Sequence, residues 1–336
     1  MKRVVGRGSP FEIGFAIGAA SPLFFRHICA DRPPVSDDDI KTFTRIAWAA
    51  TQSHYPVIAK EIEGVAAGAG VPLRDLFIVY CEELWDAEET APSGCTDIVV
   101  RGSASKTGTT LLAHTNDSGV GMPGPTIVTI LPDDGRPNST GISMDGYAPA
   151  VGRNSAGVIL TGNQLTSKDM RPGVPRLILA RAVLDQPTLE LAAQVCLDPS
   201  RASSYNNILA DSSGQVLDLE GSAERVAVVP FEDDLLVHTN HYLMRGMTDL
   251  EEKWDQASTK MRLSVATAMA RRMSPLTPSK LAYILASHEG APDCICRHDD
   301  TRTFFATIYE AETGRAWLSE GPPCLQAWAR LQPVEI

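Results

Sequence analysis

One cysteine of the chain stands where a segment of small residues meets a predicted strand. The octapeptide from Ser93 to Val100 reads Ser-Gly-Cys-Thr-Asp-Ile-Val-Val, so Cys95 precedes an apolar, β-prone run. Gly94 has no side chain to hinder attack on its carbonyl carbon, and glycine tolerates strained backbone angles. The thiol could therefore be a nucleophile, or it could be a buried structural cysteine at the start of a strand. The octapeptide alone leaves both interpretations open.

The next predicted strand brings polar side chains toward this thiol. A return strand is predicted over residues 109–115, after a loop that centres near residues 105–106. In an antiparallel pair with that centre, Cys95 lies opposite Asn116, and Asp117 is adjacent. We therefore expect a thiol, an amide and a carboxylate close together at the end of a hairpin, which is a plausible reactive site.

The composition limits the class of partner. The chain has 336 residues, of which 43% are hydrophobic and 21% are charged, and its formal net charge at neutral pH is -11. This is an ordinary globular composition, and the negative charge argues against nucleic acid or an anionic membrane as the main partner. No stretch of 18 apolar residues predicts a membrane span. Arg7 and Glu12 interrupt the N-terminal stretch where a signal peptide needs an apolar core, so we expect a cytoplasmic protein.

Metal and cofactor motifs are not evident in the sequence. His238 and His241 form a His-x-x-His pair, and Cys294, Cys296 and His298 lie close together. Neither spacing matches a common zinc motif, so we expect no metal site. A Walker A loop, a dinucleotide-binding glycine motif and a Gly-x-Ser-x-Gly elbow are also missing from the sequence, and we expect no cofactor. The seven cysteines are scattered and odd in number, which does not indicate a disulfide framework.

The first quarter of the chain has the pattern of helices. Residues 9–12 read Ser-Pro-Phe-Glu, a capping box with proline at the first helical position. A later stripe at helical spacing predicts a helix with one buried face, formed by Leu73, Leu76, Phe77, Tyr80, Cys81 and Leu84. A polar linker of small residues follows over residues 88–94. We therefore expect a helical segment before Cys95.

The remainder of the chain is rich in hairpin turns. Four turn sequences lie between short β-prone runs, at residues 134–135, 154–157, 211–214 and 312–314. Helical stretches are predicted near residues 175–196 and 256–288. Strands grouped with strands and helices with helices indicate an α+β fold, in which helices cover antiparallel sheets.

The motif order resembles a known family. Gly94-Cys95-Thr96, after a helical segment, is similar to the processing site of the fungal isopenicillin N acyltransferase family (acyl-CoA:6-aminopenicillanic acid acyltransferase). These proteins are autoproteolytic N-terminal nucleophile (Ntn) hydrolases. Further similar segments follow in the same order along nearly the whole chain, at residues 8–14, 154–158, 237–241 and 295–297.

The resemblance implies an αββα fold, with two stacked antiparallel sheets between helical layers. It also implies a precursor, in which Cys95 attacks the Gly94 carbonyl, forms a thioester by an N-to-S shift and is released by hydrolysis. The products are a helical fragment, residues 1–94, and an Ntn-hydrolase fragment, residues 95–336. Because the apolar helix faces need a partner, we expect the fragments to stay associated as one structural domain.

The resemblance also assigns roles to individual residues. Cys95 is the nucleophile, and Asp117 holds its newly formed α-amino group. Asn240 donates its amide to the oxyanion, and Arg297 orients the acid or the nucleophile. Asn163 is a further candidate for the oxyanion or substrate site.

The family resemblance implies an amidohydrolase, or an acyltransferase, that acts on a small N-acyl amide or an acyl thioester. Water would complete a hydrolytic cycle and an amine would complete a transfer cycle. We favour hydrolysis, because no cluster of Lys and Arg clearly supplies binding groups for the phosphates of coenzyme A.

Two alternatives stay open at this point. One is an unprocessed Cys–His thiol hydrolase, and the other is a non-catalytic relative that binds a small molecule. On a continuous strand, His238 shares a face with Asn240 while His241 points away. We interpret both histidines as structural or as lining the pocket. The sequence leaves the oligomeric state open.

Overall fold

The computed structural model of the chain describes residues 1–30, 38–84, 94–119, 124–144, 149–253 and 255–331. The part of the predicted linker before Gly94 lies outside these residues. A strand and five helices make up the described part of the N-terminal segment: β1 (Lys2–Gly8), α1 (Pro10–Ala20), α2 (Pro22–Ala30), α3 (Asp38–His54), α4 (Pro56–Ala69) and α5 (Leu73–Tyr80).

From Gly94 onward strands predominate. The strands up to the next helix are β2 (Gly94–Val100), β3 (Leu111–Gly119), β4 (Pro125–Pro132), β5 (Ser139–Met144), β6 (Val151–Asn154) and β7 (Ile159–Asn163). They are followed by α6 (Arg176–Val183), α7 (Leu189–Cys196), β8 (Tyr205–Ala210), β9 (Val216–Gly221), β10 (Val226–Val228) and β11 (Leu235–His238). The last elements are α8 (Ala257–Met273), α9 (Pro278–Leu285), β12 (Thr301–Glu310), β13 (Arg315–Ser319) and β14 (Ala329–Leu331).

The strands form two sheets. Sheet A has the strand order β1-β4-β5-β6-β7-β8-β9-β10, and sheet B has the order β11-β2-β3-β12-β13-β14. Neighbouring strands are antiparallel except for β1 and β4, which pair in parallel from Lys2 opposite Thr126 to Gly8 opposite Pro132. The parallel pair β1–β4 at this edge of sheet A is a local departure from the predicted antiparallel pairing, which the other neighbouring strands follow.

The hydrophobic core lies in three layers. Between the sheets, Val99 and Leu112 of sheet B belong to one cluster with Ile142 and Ile208 of sheet A. Helices α1 to α7 cover the other face of sheet A, and α8 and α9 cover the other face of sheet B. This order of layers confirms the predicted αββα sandwich and the α+β class.

Most local predictions after Cys95 are confirmed. All four predicted turns connect adjacent strands, and their glycines, Gly135, Gly157, Gly214 and Gly314, have positive φ angles. A positive φ is costly for other L-residues, so glycine terminates these turns at little cost. The predicted helical stretches 175–196 and 256–288 each form two helices instead of one.

The N-terminal segment departs from the prediction in one respect. It is helical after residue 9, and the capping box is present, since the Ser9 backbone N–H donates to Glu12 at 2.8 Å. However, β1 precedes the helices and joins sheet A, so the segment 1–94 is not helical throughout. In β1 the buried and exposed residues alternate, with Val4 buried and Arg3 exposed, but a seven-residue edge strand with this much charge gives a weak pattern.

No single helix in the described residues combines the length and apolar composition needed to cross a bilayer. Helices α1 and α2 meet the requirement only as a pair, and an 84° bend separates them.

Helices α1 and α4 cross with their backbones in contact. Gly14 and Gly18 of α1 face Gly64 and Gly68 of α4 across this contact. A methyl group placed on Gly64 would lie 2.1 Å from the carbonyl oxygen of Phe11, which is far inside van der Waals distance. The two Gly-x-x-x-Gly sequences are therefore required by this close approach.

We expect Gly64→Ala to lower the free energy of unfolding by about 1–3 kcal/mol, because the added methyl group forces the two helices apart. The loss should appear although alanine raises helix propensity by about 1 kcal/mol. Urea unfolding measures the change. The matched control is Ala67→Ser, which adds one heavy atom to the exposed face of the same helix. Equal stability of Gly64→Ala and wild type would contradict the close packing.

Candidate active site

Cys95 lies in the register that the sequence predicts. In the β2–β3 ladder Cys95 pairs with Asn116, and Gly94 pairs with Asp117. The side-chain amide of Asn116 approaches the Cys95 sulfur at 3.5 Å. Cys95 is buried, with 6% of its surface exposed. The strand register confirms the predicted adjacency of the thiol, the amide and the carboxylate.

Alternation along β2 places its side chains on two different faces. Val99 belongs to the cluster between the sheets, while Ile98 belongs to the cluster beneath α8 and α9. Since successive side chains point to opposite faces, the Cys95 sulfur faces the space between the sheets and Thr96 faces α8. Asp117, opposite Gly94, lies on the helix side. The Gly94–Cys95 bond thus lies at the boundary between a sulfur on one face and a carboxylate on the other.

Arg262 of α8 holds the backbone at this boundary. It is 2% exposed, and its Nη1 donates to the carbonyl oxygen of Cys95 and, at 3.0 Å, to Thr96 Oγ1. Its Nη2 donates to Asn240 Oδ1 at 2.8 Å. A buried guanidinium needs acceptors for its N–H groups, and the start of β2 supplies two of them.

Asn240 binds the nitrogen of Cys95. The backbone N–H of Cys95 donates to Asn240 Oδ1 at 2.9 Å, and Arg262 donates to the same atom. Two donors on one atom identify it as the carbonyl oxygen, and Asn240 Nδ2 correspondingly donates to the Gln164 carbonyl at 3.1 Å. Asn240 is therefore placed beside the nucleophile as expected, but in this arrangement it holds the nitrogen. That the side-chain amide of Asn240 donates a hydrogen bond to an oxyanion stays a prediction.

Asp117 is a buried carboxylate with one satisfied oxygen. Thr303 donates to Asp117 Oδ1 at 2.8 Å, whereas Oδ2 has no hydrogen-bond partner in the described structure. Burial raises the pKa of Asp117, and the positive charges of Arg262 and Arg297 oppose this rise. The free oxygen is the atom nearest to a methyl group built on Gly94, at 2.9 Å.

The surroundings of Gly94 explain why a glycine stands there. A methyl group at this position would also lie 3.3 Å from Arg262 Nη2 and 3.4 Å from Arg297 Nη1. Arg297 thus lies beside Gly94, near the predicted nucleophile Cys95, and its backbone N–H donates to Thr303 Oγ1 at 2.9 Å. Two arginines and one carboxylate surround the α-carbon of Gly94.

The thiol of Cys95 is a weak acid in this environment. Burial raises its pKa to about 12, and the charges of Asp117 and Asp97 act in the same direction, while Arg262 acts against them. In the intact chain the sulfur is therefore protonated at neutral pH. Any attack by this sulfur requires the proton to be transferred as the new bond forms.

Asn163 and His238 belong to a polar network between the sheets. Asn163 Nδ2 donates to Asp97 Oδ2 at 2.9 Å, and Asn163 Oδ1 accepts a hydrogen bond from Asn206 at 3.2 Å. His238 Nε2 lies 2.8 Å from Glu220 Oε1. The network reaches Cys95 through Asp97, two residues along β2, so these two candidates adjoin the nucleophile indirectly.

The expected placement of His238 and Asn240 on one face of a strand is wrong. Strand β11 ends at His238, and the chain then turns toward α8. Asn240 N–H donates to Thr259 Oγ1 at 2.7 Å, and His241 Nδ1 lies 2.9 Å from the same oxygen. The alternation rule does not apply beyond the end of a strand.

Arg262 was missed by the sequence reasoning, although the sequence contains a feature that indicates it. The buried face of α8 includes Thr259, Val265, Ala266 and Met269, and Arg262 follows the same helical spacing. An arginine within the apolar stripe of a helix is rarely fully buried unless it is paired. Its position in the stripe would have predicted a buried partner of opposite charge.

We expect Arg262→Met to lower the free energy of unfolding by about 3–5 kcal/mol at neutral pH, because it leaves the Asp117 carboxylate buried with less compensation. Its removal raises the pKa of Asp117 further. Wild type and variant change in the same way until the pH reaches the wild-type pKa of Asp117, which burial already raises, so the difference in stability should grow as pH rises above that pKa.

Urea unfolding at several pH values checks this expectation. The control is Arg271→Met on the same helix, which removes only an exposed pair with Glu232 and should cost less than about 1 kcal/mol. A loss of equal size at all pH values would contradict the electrostatic explanation. Addition of Asp117→Asn to Arg262→Met should remove the pH dependence.

Comparisons with known proteins agree with the motif order. The profile of the family described as "Acyl-coenzyme A:6-aminopenicillanic acid acyl-transferase" matches residues 138–324, more than half of the chain. The matched region contains Asn240, Arg262 and Arg297, and it begins after Cys95.

Proteins similar to the chain include a curated relative and several solved structures, of which two are described below. The Beta-alanyl-dopamine/carcinine hydrolase of Drosophila melanogaster is 22% identical over 220 residues, which are 57% of this chain and 56% of that protein. The chain therefore spans about half the length of this relative. Penicillin V acylase from Agrobacterium tumefaciens is 14% identical, with a TM-score of 0.42 over 70% of this chain and 86% of that one. A mutant of the conjugated bile acid hydrolase from Clostridium perfringens is 11% identical, with a TM-score of 0.44 over 72% of this chain and 98% of that one.

The profile match covers more than half of the chain. The chain belongs to the acyl-coenzyme A:6-aminopenicillanic acid acyl-transferase family.

Proposed function

We propose that the chain is a self-processing cysteine amidohydrolase, with acyl transfer as its variant reaction. The observation that carries the proposal is the set of side-chain contacts that hold the Gly94–Cys95 peptide bond. Asn240 Oδ1 holds its nitrogen, Arg262 holds the following carbonyl, and an unpartnered carboxylate oxygen of Asp117 lies beside Gly94. Such fixation of one buried peptide unit by side chains from distant segments is more than a structural cysteine requires.

In the proposed cleavage, the Cys95 sulfur attacks the carbonyl carbon of Gly94. A C–S bond forms, the C–N bond breaks, and the thiol proton passes to the departing nitrogen, which becomes the α-amine of Cys95. Water then hydrolyses the thioester and releases the carboxylate of Gly94. The pKa of about 12 for the thiol requires this coupled proton transfer, since a free thiolate is scarce at neutral pH.

The same groups can serve the mature enzyme. The new α-amine, whose unperturbed pKa is about 7.7–8.0, remains within reach of Asn240 Oδ1. Arg262 donates to the same oxygen, and its positive charge disfavours the ammonium form of the amine. A neutral amine can accept the thiol proton while the sulfur attacks the substrate carbonyl. Water or a second amine would then resolve the acyl-enzyme.

The arrangement of the histidines favours this mechanism over a Cys–His pair. His238 makes its contacts with Glu220, Asn163 and the Thr239 carbonyl, and His241 is held by Thr259. Burial would lower the pKa of His238, but Asp218 and Glu220 outweigh it and raise that pKa. A histidine whose two ring nitrogens contact Glu220, Asn163 and the Thr239 carbonyl, and not the Cys95 sulfur, is poorly suited to act as the general base for that thiol.

The substrate class follows from the family and from its named relative. The Drosophila melanogaster relative is named for hydrolysis of β-alanyl-dopamine and carcinine, both small amides. We therefore assign to this chain a small N-acyl amide as substrate, with hydrolysis as the main outcome.

Contacts across the cleavage point support continued association of the two fragments. Arg181 of α6 donates to both carboxylate oxygens of Glu61 in α4, at 3.0 and 2.8 Å, and both residues are buried. The β1–β4 ladder adds a row of backbone pairs between the fragments. Cleavage at Gly94–Cys95 breaks none of these contacts.

Wild-type protein should separate into two bands on denaturing gels, and Cys95→Ala should remain one chain. The expected fragments have 94 and 242 residues, and the larger one should begin Cys-Thr-Asp in N-terminal sequencing. Cys95→Ala should also lack activity on N-acyl amides. The matched control is Cys196→Ala, another buried cysteine, which should process normally. A wild-type chain that stays whole while it turns over substrate would overturn the proposal.

Gly94→Ala should slow processing by roughly tenfold or more, because a methyl group at 2.9 Å from Asp117 Oδ2 displaces the carbonyl carbon by a fraction of an ångström. The 95–336 fragment that it finally yields is identical to that of wild type. Activity per processed molecule should therefore be unchanged. Time courses on gels give the first quantity, and amidase assays on fully processed samples give the second. Processing at the wild-type rate would contradict the importance of this contact.

A further inference from the structure

Four side chains with metal-binding atoms converge on the outer side of sheet B. Among the residues that the structure describes, His288, Cys296, His298 and Cys324 form a group in which each offers one ligand atom, all within 4.8 Å of one another. His298 Nε2 lies 3.1 Å from His288 Nε2, 3.1 Å from Cys324 Sγ and 3.6 Å from Cys296 Sγ. Neither the family description nor the cleavage chemistry uses these residues.

These ligands come from two segments, the loop between α9 and β12 and the loop between β13 and β14. His288 follows α9, Cys296 and His298 precede β12, and Cys324 lies between β13 and β14. Within the loop between α9 and β12, the Cys296 N–H donates to the Ser287 carbonyl at 3.0 Å. Cys324 reaches this loop from its own segment, since its sulfur lies 3.1 Å from His298 Nε2. One loop thus supplies three of the four ligand atoms, and the fold brings Cys324 to it from a second segment.

We propose that His288, Cys296, His298 and Cys324 bind one Zn²⁺ ion in a Cys₂His₂ site. Two sulfur and two imidazole ligands in a closed set are typical of structural zinc. On binding, the two thiols release their protons to solvent, and the two thiolates balance the charge of the ion. Each imidazole binds through Nε2, the atom that faces the group.

The separations agree with a tetrahedral site. Zinc–sulfur bonds of about 2.3 Å and zinc–nitrogen bonds of about 2.0–2.1 Å place neighbouring ligand atoms roughly 3.3–3.8 Å apart. The contacts of His298 Nε2, at 3.1 to 3.6 Å, require ligand shifts of only a few tenths of an ångström. Two imidazoles and two thiols gathered so closely gain little from one another without a cation between them.

The position of the site suggests what the ion would do. Arg297 lies between two of the ligands, Cys296 and His298, and its guanidinium reaches the surroundings of Gly94. Its backbone N–H donates to Thr303, which in turn donates to Asp117. An ion that fixes both neighbours of Arg297 would hold this residue in place, so we assign the site a structural and positioning role.

Metal analysis of the full-length protein tests the proposal. Wild-type chain, purified under reducing conditions from zinc-containing medium, should carry about one equivalent of zinc by plasma mass spectrometry. The double variant His288→Ala/Cys324→Ser should fall to the background of a buffer blank. The control is Cys294→Ser, a thiol of the same loop outside the group, which should retain the zinc. Circular dichroism checks that each variant is folded.

Two further measurements keep the outcome decisive. Wild-type chain stripped with a chelator and reloaded with Co²⁺ should give the absorption of tetrahedral cobalt–thiolate coordination, which needs no variant to fold. Cys95→Ala should bind zinc as wild type does, so failure of self-cleavage does not affect this test. Zinc-free wild type after dialysis against zinc, a disulfide between Cys296 and Cys324 in that sample, or zinc retained by the double variant would each overturn the proposal.

Discussion

The burial of the Arg262 guanidinium is the interaction on which the site depends. A buried charge is tolerated only where its hydrogen bonds and its countercharge are supplied. Here the start of β2, the segment after β11 and Asp117 at the end of β3 supply them together. Each partner is thereby fixed relative to the others, and the Gly94–Cys95 bond is among the groups that are fixed. The guanidinium of Arg262 would be unfavourable if it were buried without partners, and with its partners it restrains the backbone at Cys95.

The two faces of β2 divide the chemistry between them. The sulfur of Cys95 faces the space between the sheets, where Asp97, His114 and Asn163 form a network of buried polar groups. The nitrogen and the flanking carbonyl face the layer of α8, where Arg262 and Asn240 hold them. A strand is well suited to this division, because its side chains and its backbone groups point in different directions. Contacts to the backbone of Cys95 can therefore position this residue without obstructing its sulfur.

How much could be predicted from the sequence depended on how local the determining contacts are. The pairing of Cys95 with Asn116 follows from one hairpin, whose turn residues and β-prone runs are adjacent in the chain, and it was predicted correctly. Strand β1 was missed because its parallel partner is more than a hundred residues away and its own alternation is short. Arg262 shares this property, since its partners come from distant segments and only the fold brings them together. Cys296 and His298 are close in sequence and were noted there, but their proximity to Cys324 and His288 becomes evident only in the fold.

The distant contacts around Asp117 have a common origin in one loop. The carboxylate receives a hydrogen bond from Thr303, and Thr303 accepts one from the backbone of Arg297. Arg297 in turn shares its loop with Cys296 and His298, so a cation at those residues would act on Asp117 through two hydrogen bonds. Burial raises the pKa of Asp117, and Arg262 opposes that rise from the helix while Arg297 opposes it from the loop.

The Asp117 carboxylate beside the Gly94–Cys95 bond is therefore subject to two positive charges, Arg262 on α8 and Arg297 on the loop before β12. The proposed metal ion would restrain this loop. Bonds at His288, Cys296 and His298 would limit the conformational freedom of the segment between α9 and β12, residues 286–300. Arg297 lies between two of these ligands, so the restriction would be strongest at the residue whose positive charge acts on Asp117.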